Sequence, residues 1–463
     1  MYGSANGLVA SGGTHWTQDS AGVAGAAETS DHFGWAVAAG DFDGDGISDL
    51  AIGIPDESTG SVADEGGVQI LRGTRTGLAA WRYWNILSAS GGNTDRLCDC
   101  RFGAALAAGD FDGDGRDDLA IGMPNKDLMG SVEEGFPILY PNTGAVAVIT
   151  GGANGLSTFR FRLLAKGNGD SPIYQRHELP GTRGILEALF GAGLAAGDFD
   201  GDGRDDLAIG EPEAERAYLV RGSATGIDPG AFDELWPSEF SPNGTPMMQF
   251  GRALAMGDVD GDGTDEVFAG APLADPGGVT DAGAVFEYHS DGLRREHTQA
   301  SIPGVAAEAG DRFGWAVASG DFDRNGRADL AIGAPNEDIG SKADAGAVTV
   351  LRSFGALDTQ SAKTWTQANA GIPGGAEAGD RFGASLSAAN FGKGAFADLA
   401  IGVPLEDFTA GGVTRANAGV IDVLYGTRLD GLATAGAQDW SQATTGIPGG
   451  FETNDQFGYA LGR

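Results

Sequence analysis

Short apolar runs rich in Ala, Val, Leu and Ile, bounded by Gly or Pro, alternate with polar stretches along the whole chain. Their length and their glycine or proline borders predict strands rather than helices. The runs keep a fixed order. A Phe-Gly pair opens a first strand, as in residues 33–40, and an acidic loop follows. A second strand, Leu50-Ala51-Ile52-Gly53-Ile54-Pro55, comes next. After a polar excursion come a third strand over residues 67–73 and an outer strand near Trp81-Arg82-Tyr83-Trp84. Four strands per unit is the size of one propeller blade.

Phe-Gly openers recur at Phe33, Phe102, Phe190, Phe250, Phe313, Phe382 and Phe457, 60 to 88 residues apart. The strand pairs stay constant while the connectors vary, which is how a repeat array takes insertions. Tyr2-Gly3-Ser4-Ala5-Asn6-Gly7-Leu8 echoes the third-strand tail Tyr425-Gly426-Thr427-Arg428-Leu429-Asp430-Gly431-Leu432, and Arg463 stands six residues past Phe457. The expected fold is therefore all-β: a seven-bladed β-propeller of four-stranded blades, one domain over residues 1–463. Blades start near 33, 102, 190, 250, 313, 382 and 457. Six are complete; the seventh is incomplete and composite, with residues 1–32 supplying its outer strand and a linker. The register also reads as a monomeric piece of a longer chain.

Between first and second strands lies Asp110-Phe111-Asp112-Gly113-Asp114-Gly115-Arg116-Asp117-Asp118, and four more loops share its frame, starting at Asp41, Asp198, Asp258 and Asp321. Carboxylates at this density repel one another unless a cation sits among them. Positions one, three and five turn inward and the glycine at six permits the turn, an oxygen set suited to a hard divalent ion. Position twelve holds Ile52, Ile121, Ile209, Ala269 or Ile332 in place of the bidentate Glu of an EF-hand. The alternative for one isolated loop is a solvated Asp-Gly turn. A sixth copy, Asn390-Phe391-Gly392-Lys393-Gly394-Ala395-Phe396-Ala397-Asp398, has lost its first three carboxylates and predicts no metal.

Composition narrows the function. With 29 basic against 65 acidic residues the formal net charge is −36, which speaks against nucleic acid or an anionic membrane surface as partner. The 80 glycines and 18 prolines, set in a periodic frame, read as tight turns. Two cysteines, Cys98 and Cys100, exclude a disulfide framework and a four-cysteine zinc site; a local disulfide and free thiols both fit, and the incidental reading is favoured. No apolar run is long enough to span a bilayer, and residues 1–5 show no signal-peptide pattern. No zinc-protease, serine-hydrolase or phosphate-loop motif occurs, nor an Arg-Gly-Asp sequence.

The Phe-Gly opener, the acidic loop and the Leu-Ala-Ile-Gly-x-Pro strand together resemble the FG-GAP repeats of integrin α-subunit propellers; bacterial surface and secreted proteins carry similar repeats. The resemblance covers nearly the whole chain. It implies about five structural Ca2+ sites. The first would be held by the side chains of Asp41, Asp43, Asp45 and Asp49 with the Ile47 carbonyl. The second would use Asp110, Asp112, Asp114, Asp118 and the Arg116 carbonyl, the third Asp198, Asp200, Asp202, Asp206 and the Arg204 carbonyl. The fourth would use Asp258, Asp260, Asp262, Glu266 and the Thr264 carbonyl, the fifth Asp321, Asp323, Asn325, Asp329 and the Arg327 carbonyl. The expected protein is a calcium-binding extracellular or cell-surface module for adhesion to protein or glycan partners, not an enzyme. The alternative is the non-catalytic propeller of a secreted hydrolase, or a weakly recognisable propeller enzyme. Two insertions break the repeat: residues 126–144 and the connector before Phe190. They put Tyr140, Tyr174, Arg176 and His177 forward as partner-binding residues on the face opposite the metal loops, against the reading of tolerated surface loops.

Overall fold

The computed structural model describes residues 1–58, 63–89, 99–133, 136–166, 176–179, 188–237, 247–450 and 452–462. Within them lie six sheets, each built on four strands that pair antiparallel from first to fourth. They cover residues 37–84, 105–166, 194–235, 254–297, 316–365 and 385–440, and are numbered blades 1 to 6. Blade 2 gains a fifth strand, Arg176–Leu179, parallel to its outer strand. The insertion in that blade forms a hairpin, Leu128–Glu133 with Phe136–Tyr140, between the second and third strands.

The second strand explains why the blades stack. In blades 2 to 6 all six of its residues are buried. A strand covered on both faces needs an unbroken apolar run, and the Leu-Ala-Ile-Gly pattern supplies one. Its glycine is required by the neighbouring blade. A Cβ at Gly122 would lie 2.1 Å from the Gly191 carbonyl oxygen of the next opener; the same contact is 2.0 Å at Gly53 and 2.0 Å at Gly402. The opener is tied from both sides. Gly191 donates its N–H to Gly210 O in its own blade at 2.9 Å, and Phe190 donates to Thr143 O in the preceding blade at 3.1 Å. The Phe102, Phe190, Phe250, Phe313 and Phe382 side chains are fully buried between blades. Alanine-rich first strands, including Ala38, Ala107, Ala195, Met256, Ser319 and Ala388, surround an axial cavity of about 210 Å3.

The described residues hold six four-stranded blades, and the expected seventh is not formed as a sheet. The N-terminal segment is a hairpin, Tyr2–Ser4 with Gly7–Val9. It docks on blade 6, where Leu8 donates its N–H to Tyr425 Oη at 2.9 Å and Lys393 donates its N–H to Ser4 O at 3.0 Å. The C-terminal opener also docks on blade 6, Phe457 N–H donating to Ala418 O at 2.9 Å, and Tyr459 meets Trp35 of blade 1 with ring centroids 5.3 Å apart. Both segments thus lie between blades 6 and 1, but the hairpin finds no second strand to extend it. The tryptophans Trp84, Trp365 and Trp440 end the outer strands of blades 1, 5 and 6. Cys100 is disulfide-bonded, so the incidental-thiol reading is corrected.

Candidate metal centres

Each acidic loop joins a first strand to a second at one end of its blade. Its backbone wraps around the first carboxylate. Asp41 Oδ1 accepts the N–H groups of Gly44 at 2.8 Å and Asp45 at 3.1 Å, and Oδ2 accepts that of Gly46 at 2.8 Å. Asp43 and Asp45 accept the N–H groups of Asp45 and Ile47. Two of the three bonds to the first carboxylate recur in every other loop: those from positions five and six around Asp110, Asp198 and Asp321, and those from positions four and six around Asp258. Gly46, Gly115, Gly203, Gly263 and Gly326 all take positive φ near 85°, the left-handed turn that a side chain resists.

The carboxylates converge. In the loops starting at Asp41, Asp110, Asp198 and Asp258, the residues at positions one, three and five each offer an oxygen, all within 4.8 Å of one another. In the fifth loop Asn325 stands at position five, its amide oxygen accepting Arg327 N–H at 2.9 Å and its amide nitrogen donating to Ser353 O at 2.9 Å. Position nine closes the site from inside the blade. Asp118 is 1% exposed; its Oδ1 accepts the third-strand Gly151 N–H at 2.8 Å, and its Oδ2 is buried with no hydrogen-bond partner. Asp49 Oδ2 and Glu266 Oε1 are orphaned in the same way. Burial, followed by repulsion from Asp112, Asp110 and Asp114, pushes Asp118 up to about 8. Burial likewise raises Glu266 to about 8, Asp329 to about 7, and Asp49 and Asp206 to about 6. A buried oxygen aimed at a carboxylate cluster is costly unless a cation or proton meets it. The oxygen-only donor sets fit a hard ion.

The sixth loop is built differently. Asn390 donates to Gly394 O and accepts Gly392 N–H, each at 3.0 Å. Lys393 Nζ lies 3.8 Å from the centre of the Tyr425 ring. A Cβ at Gly392 would meet Ser4 O at 2.2 Å, so the docked N-terminal hairpin leaves no room for a carboxylate at position three.

Sequence reasoning missed two groups of residues. Position eight reaches across blades: Asp117 accepts Asp41 N–H at 2.7 Å, Asp205 accepts Asp110 N–H at 2.9 Å, and Asp265 accepts Asp198 N–H at 3.1 Å. Each loop is thereby fastened to the next blade. The third strand contributes the residue just before its final Gly or Ser: Arg72, Thr150, Arg221, His289, Arg352 and Tyr425. Arg72 pairs with Asp43 at 2.5 Å and Asp45 at 3.0 Å, Arg221 with Asp206 at 3.4 Å, Arg352 with Asp323, and His289 with Glu266 at 3.1 Å. The repeated Arg-Gly pair was visible in the sequence, but its reach into the loop depends on the fold. Of the expected partner-binding residues, Tyr174 lies outside the described residues, as do the side chains of Tyr140, Arg176 and His177.

Five stretches match the FG-GAP repeat family: residues 33–71, 102–149, 190–220, 250–288 and 313–351. The chain is an FG-GAP β-propeller protein. The matched repeats are the five with acidic loops. Similar proteins include integrin alpha-PS5 of Drosophila melanogaster, 33% identical over 41% of this chain and 16% of its own length. Human integrin alpha-IIb is 26% identical over 59% of this chain and 24% of its own. Phosphatidylinositol-glycan-specific phospholipase D of Rattus norvegicus is 29% identical over 35% and 20%. The FG-GAP chain therefore spans a quarter or less of the length of these relatives. Among solved structures, an Agrocybe aegerita lectin structure, on recognition of non-reducing terminal N-acetylglucosamine, covers 89% of this chain and 80% of its own at 13% identity with a TM-score of 0.44.

Proposed function

We propose that this FG-GAP propeller is a calcium-stabilised extracellular interaction module that presents one face to protein or glycan partners. The observation that carries the calcium reading is the orphaned, buried position-nine oxygen facing a closed cluster of aspartates, seen at Asp49 and Asp118. Calcium in each of the five loops supplies positive charge to oxygen donors that otherwise repel. Its role is structural, because position nine bonds the loop to its own third strand in blades 1, 2, 3 and 5, and position eight bonds it to the next blade in blades 1 to 3. Extracellular modules of this kind work at the high calcium levels found outside cells. The disulfide at Cys100 fits an oxidising compartment, and the integrin relatives fit the same placement.

The opposite face carries the binding reading. There a cavity of about 420 Å3 is lined by Trp35, Arg252, Arg312, Trp315, Arg381 and Tyr459 among others. Arg252 and Arg312 stack on Trp315, 4.1 and 5.3 Å from its ring centre. None of these three guanidiniums makes an ion pair with a described residue, a cationic focus in a strongly acidic chain. The blade 2 hairpin joins the ends of the second and third strands away from the acidic loop, and Tyr140, Tyr174, Arg176 and His177 stay with the proposal as its candidate partner-binding residues. Similarity to the phospholipase D favours a second reading, the non-catalytic propeller of a secreted hydrolase, which the same surface would serve. The test is retention of the purified chain on immobilised extracellular-matrix proteins and glycans, in calcium and in chelator. Binding that needs calcium and drops at least tenfold in R252A/R312A supports the module. Binding unchanged by both, or none to any surface, contradicts it.

A further inference from the structure

The fourth loop departs from the others at two positions that meet in space. Its ninth residue is Glu266, and the third-strand position that holds arginine in blades 1, 3 and 5 holds His289. Glu266 Oε2 accepts Val259 N–H at 2.8 Å, while Oε1, on a residue 1% exposed, accepts no hydrogen bond and lies 3.1 Å from His289 Nδ1. Asp260 Oδ2 lies 3.6 Å from the same nitrogen. Asp260, Glu266 and His289 bring their ligand atoms within 4.8 Å of one another. Behind the ring, His289 Nε2 is 2.6 Å from Glu287 Oε1 and 2.9 Å from Arg295 Nη1. Glu287 is fully buried and also bonded to Arg295 at 2.6 Å and His297 at 2.5 Å.

We propose that Asp260, Glu266 and His289 form a mixed nitrogen and oxygen site for a borderline divalent transition ion of the zinc or cobalt kind. The proposal shares Asp260 and Glu266 with the calcium reading and changes the ion that the fourth loop selects. Calcium prefers oxygen donors, whereas imidazole suits zinc and its neighbours. Two ligands bound about 2.1 Å from a tetrahedral ion stand about 3.4 Å apart, and the observed 3.1 and 3.6 Å bracket that value. Glu287 takes the place of the carboxylate that orients a metal-bound histidine, holding the Nε2 side so that the Nδ1 lone pair faces Asp260 and Glu266. His297 and Arg295 fix Glu287 in turn. The competing occupant is a proton shared between His289 and Glu266, which would make His289 only the counter-charge that Arg72 supplies in blade 1.

The test uses the full chain, stripped with chelator and then dialysed against excess calcium with one equivalent of Co2+. Bound metals are counted by plasma mass spectrometry, and the cobalt environment is read by visible absorption. About one cobalt per chain is expected, displaced by zinc and showing the bands of a nitrogen-ligated ion. H289R, which installs the residue blades 1, 3 and 5 already carry, loses cobalt at least tenfold. E287Q weakens it about 10- to 100-fold without changing the calcium count at loops one, two, three and five. Wild type that retains no cobalt, or retention unchanged in H289R, overturns the proposal. Cobalt held at the fourth loop while no calcium binds elsewhere upholds it and removes the calcium reading instead, so the two failures are distinct.

Discussion

Blades 2 and 6 share a frame and differ in charge. In both, the position-nine aspartate staples the third strand: Asp118 Oδ1 to Gly151 N–H and Asp398 Oδ1 to Gly426 N–H, each at 2.8 Å. Their other oxygens differ. Asp398 Oδ2 accepts Phe391 N–H at 2.8 Å; burial raises its pKa, and the N–H groups of Gly426, Phe391 and Gly392, with Lys393 last, work against that rise. Asp118 Oδ2 accepts nothing and faces three further carboxylates. Blade 6 shows that a blade closes without an acidic cluster. The cluster in blade 2 is then a burden on the fold, and a bound cation is what turns it into support.

The frame itself predicts the largest effect, and it should be the same in both blades. Gly122→Ala and Gly402→Ala each push a methyl group into the carbonyl of the next opener, at 2.1 and 2.0 Å. Each is expected to cost about 3 kcal/mol or more, measured by chemical denaturation in calcium; a mild effect in only one blade would break the idea of a common frame. Charge should separate the blades next. Asp118→Asn keeps the acceptor for Gly151 and removes the anion. In calcium at a hundredfold excess over Kd it loses up to about 2.7 kcal/mol, the stabilisation of one site. In chelator at pH 8 it matches or exceeds wild type. Asp398→Asn should show no such crossing.

Acidity offers a third separation. The folded pKa values of Asp118, Glu266 and Asp329, about 8, 8 and 7, stand above their ordinary ones. Without metal the folded state therefore binds more protons than the unfolded state between about pH 4 and pH 8, and its stability falls as pH rises through that window. Calcium takes the place of those protons. The calcium-induced rise in Tm should then be larger at pH 8 than at pH 5, and equal rises would contradict the sign. The smallest effect belongs to Arg72, which is partly exposed and paired with Asp43 and Asp45. Arg72→Ala should change stability in chelator by less than about 1 kcal/mol and raise calcium affinity at the first loop several-fold, seen by calorimetric titration.

The parts of the molecule set by residues close in sequence were readable in advance. Loop positions one to nine form one turn, so the spacing of Asp110, Asp112, Asp114 and Asp118 carries their convergence. The Leu-Ala-Ile-Gly run likewise carries the burial of the second strand. Contacts between blades were not readable. Asp117 looks like one more loop carboxylate until Asp41 of the preceding blade is seen against it, and Arg72, Arg221 and His289 look like strand-end residues until the third strand lies over the loop. The seventh blade failed for a related reason. The Tyr2 segment, despite its likeness to the Tyr425 segment, forms a two-stranded hairpin, and a hairpin alone cannot become a blade without a second strand beside it.

The central claim is that the acidic loops hold ions which stabilise the ring. The most direct measurement is the number of divalent ions bound per chain by native mass spectrometry, paired with thermal melts of the same samples in calcium and in chelator. About five ions, one for each acidic loop, and a Tm that drops on chelation are the predicted result. No bound ion together with an unchanged Tm would reduce the loops to solvated turns and contradict the account.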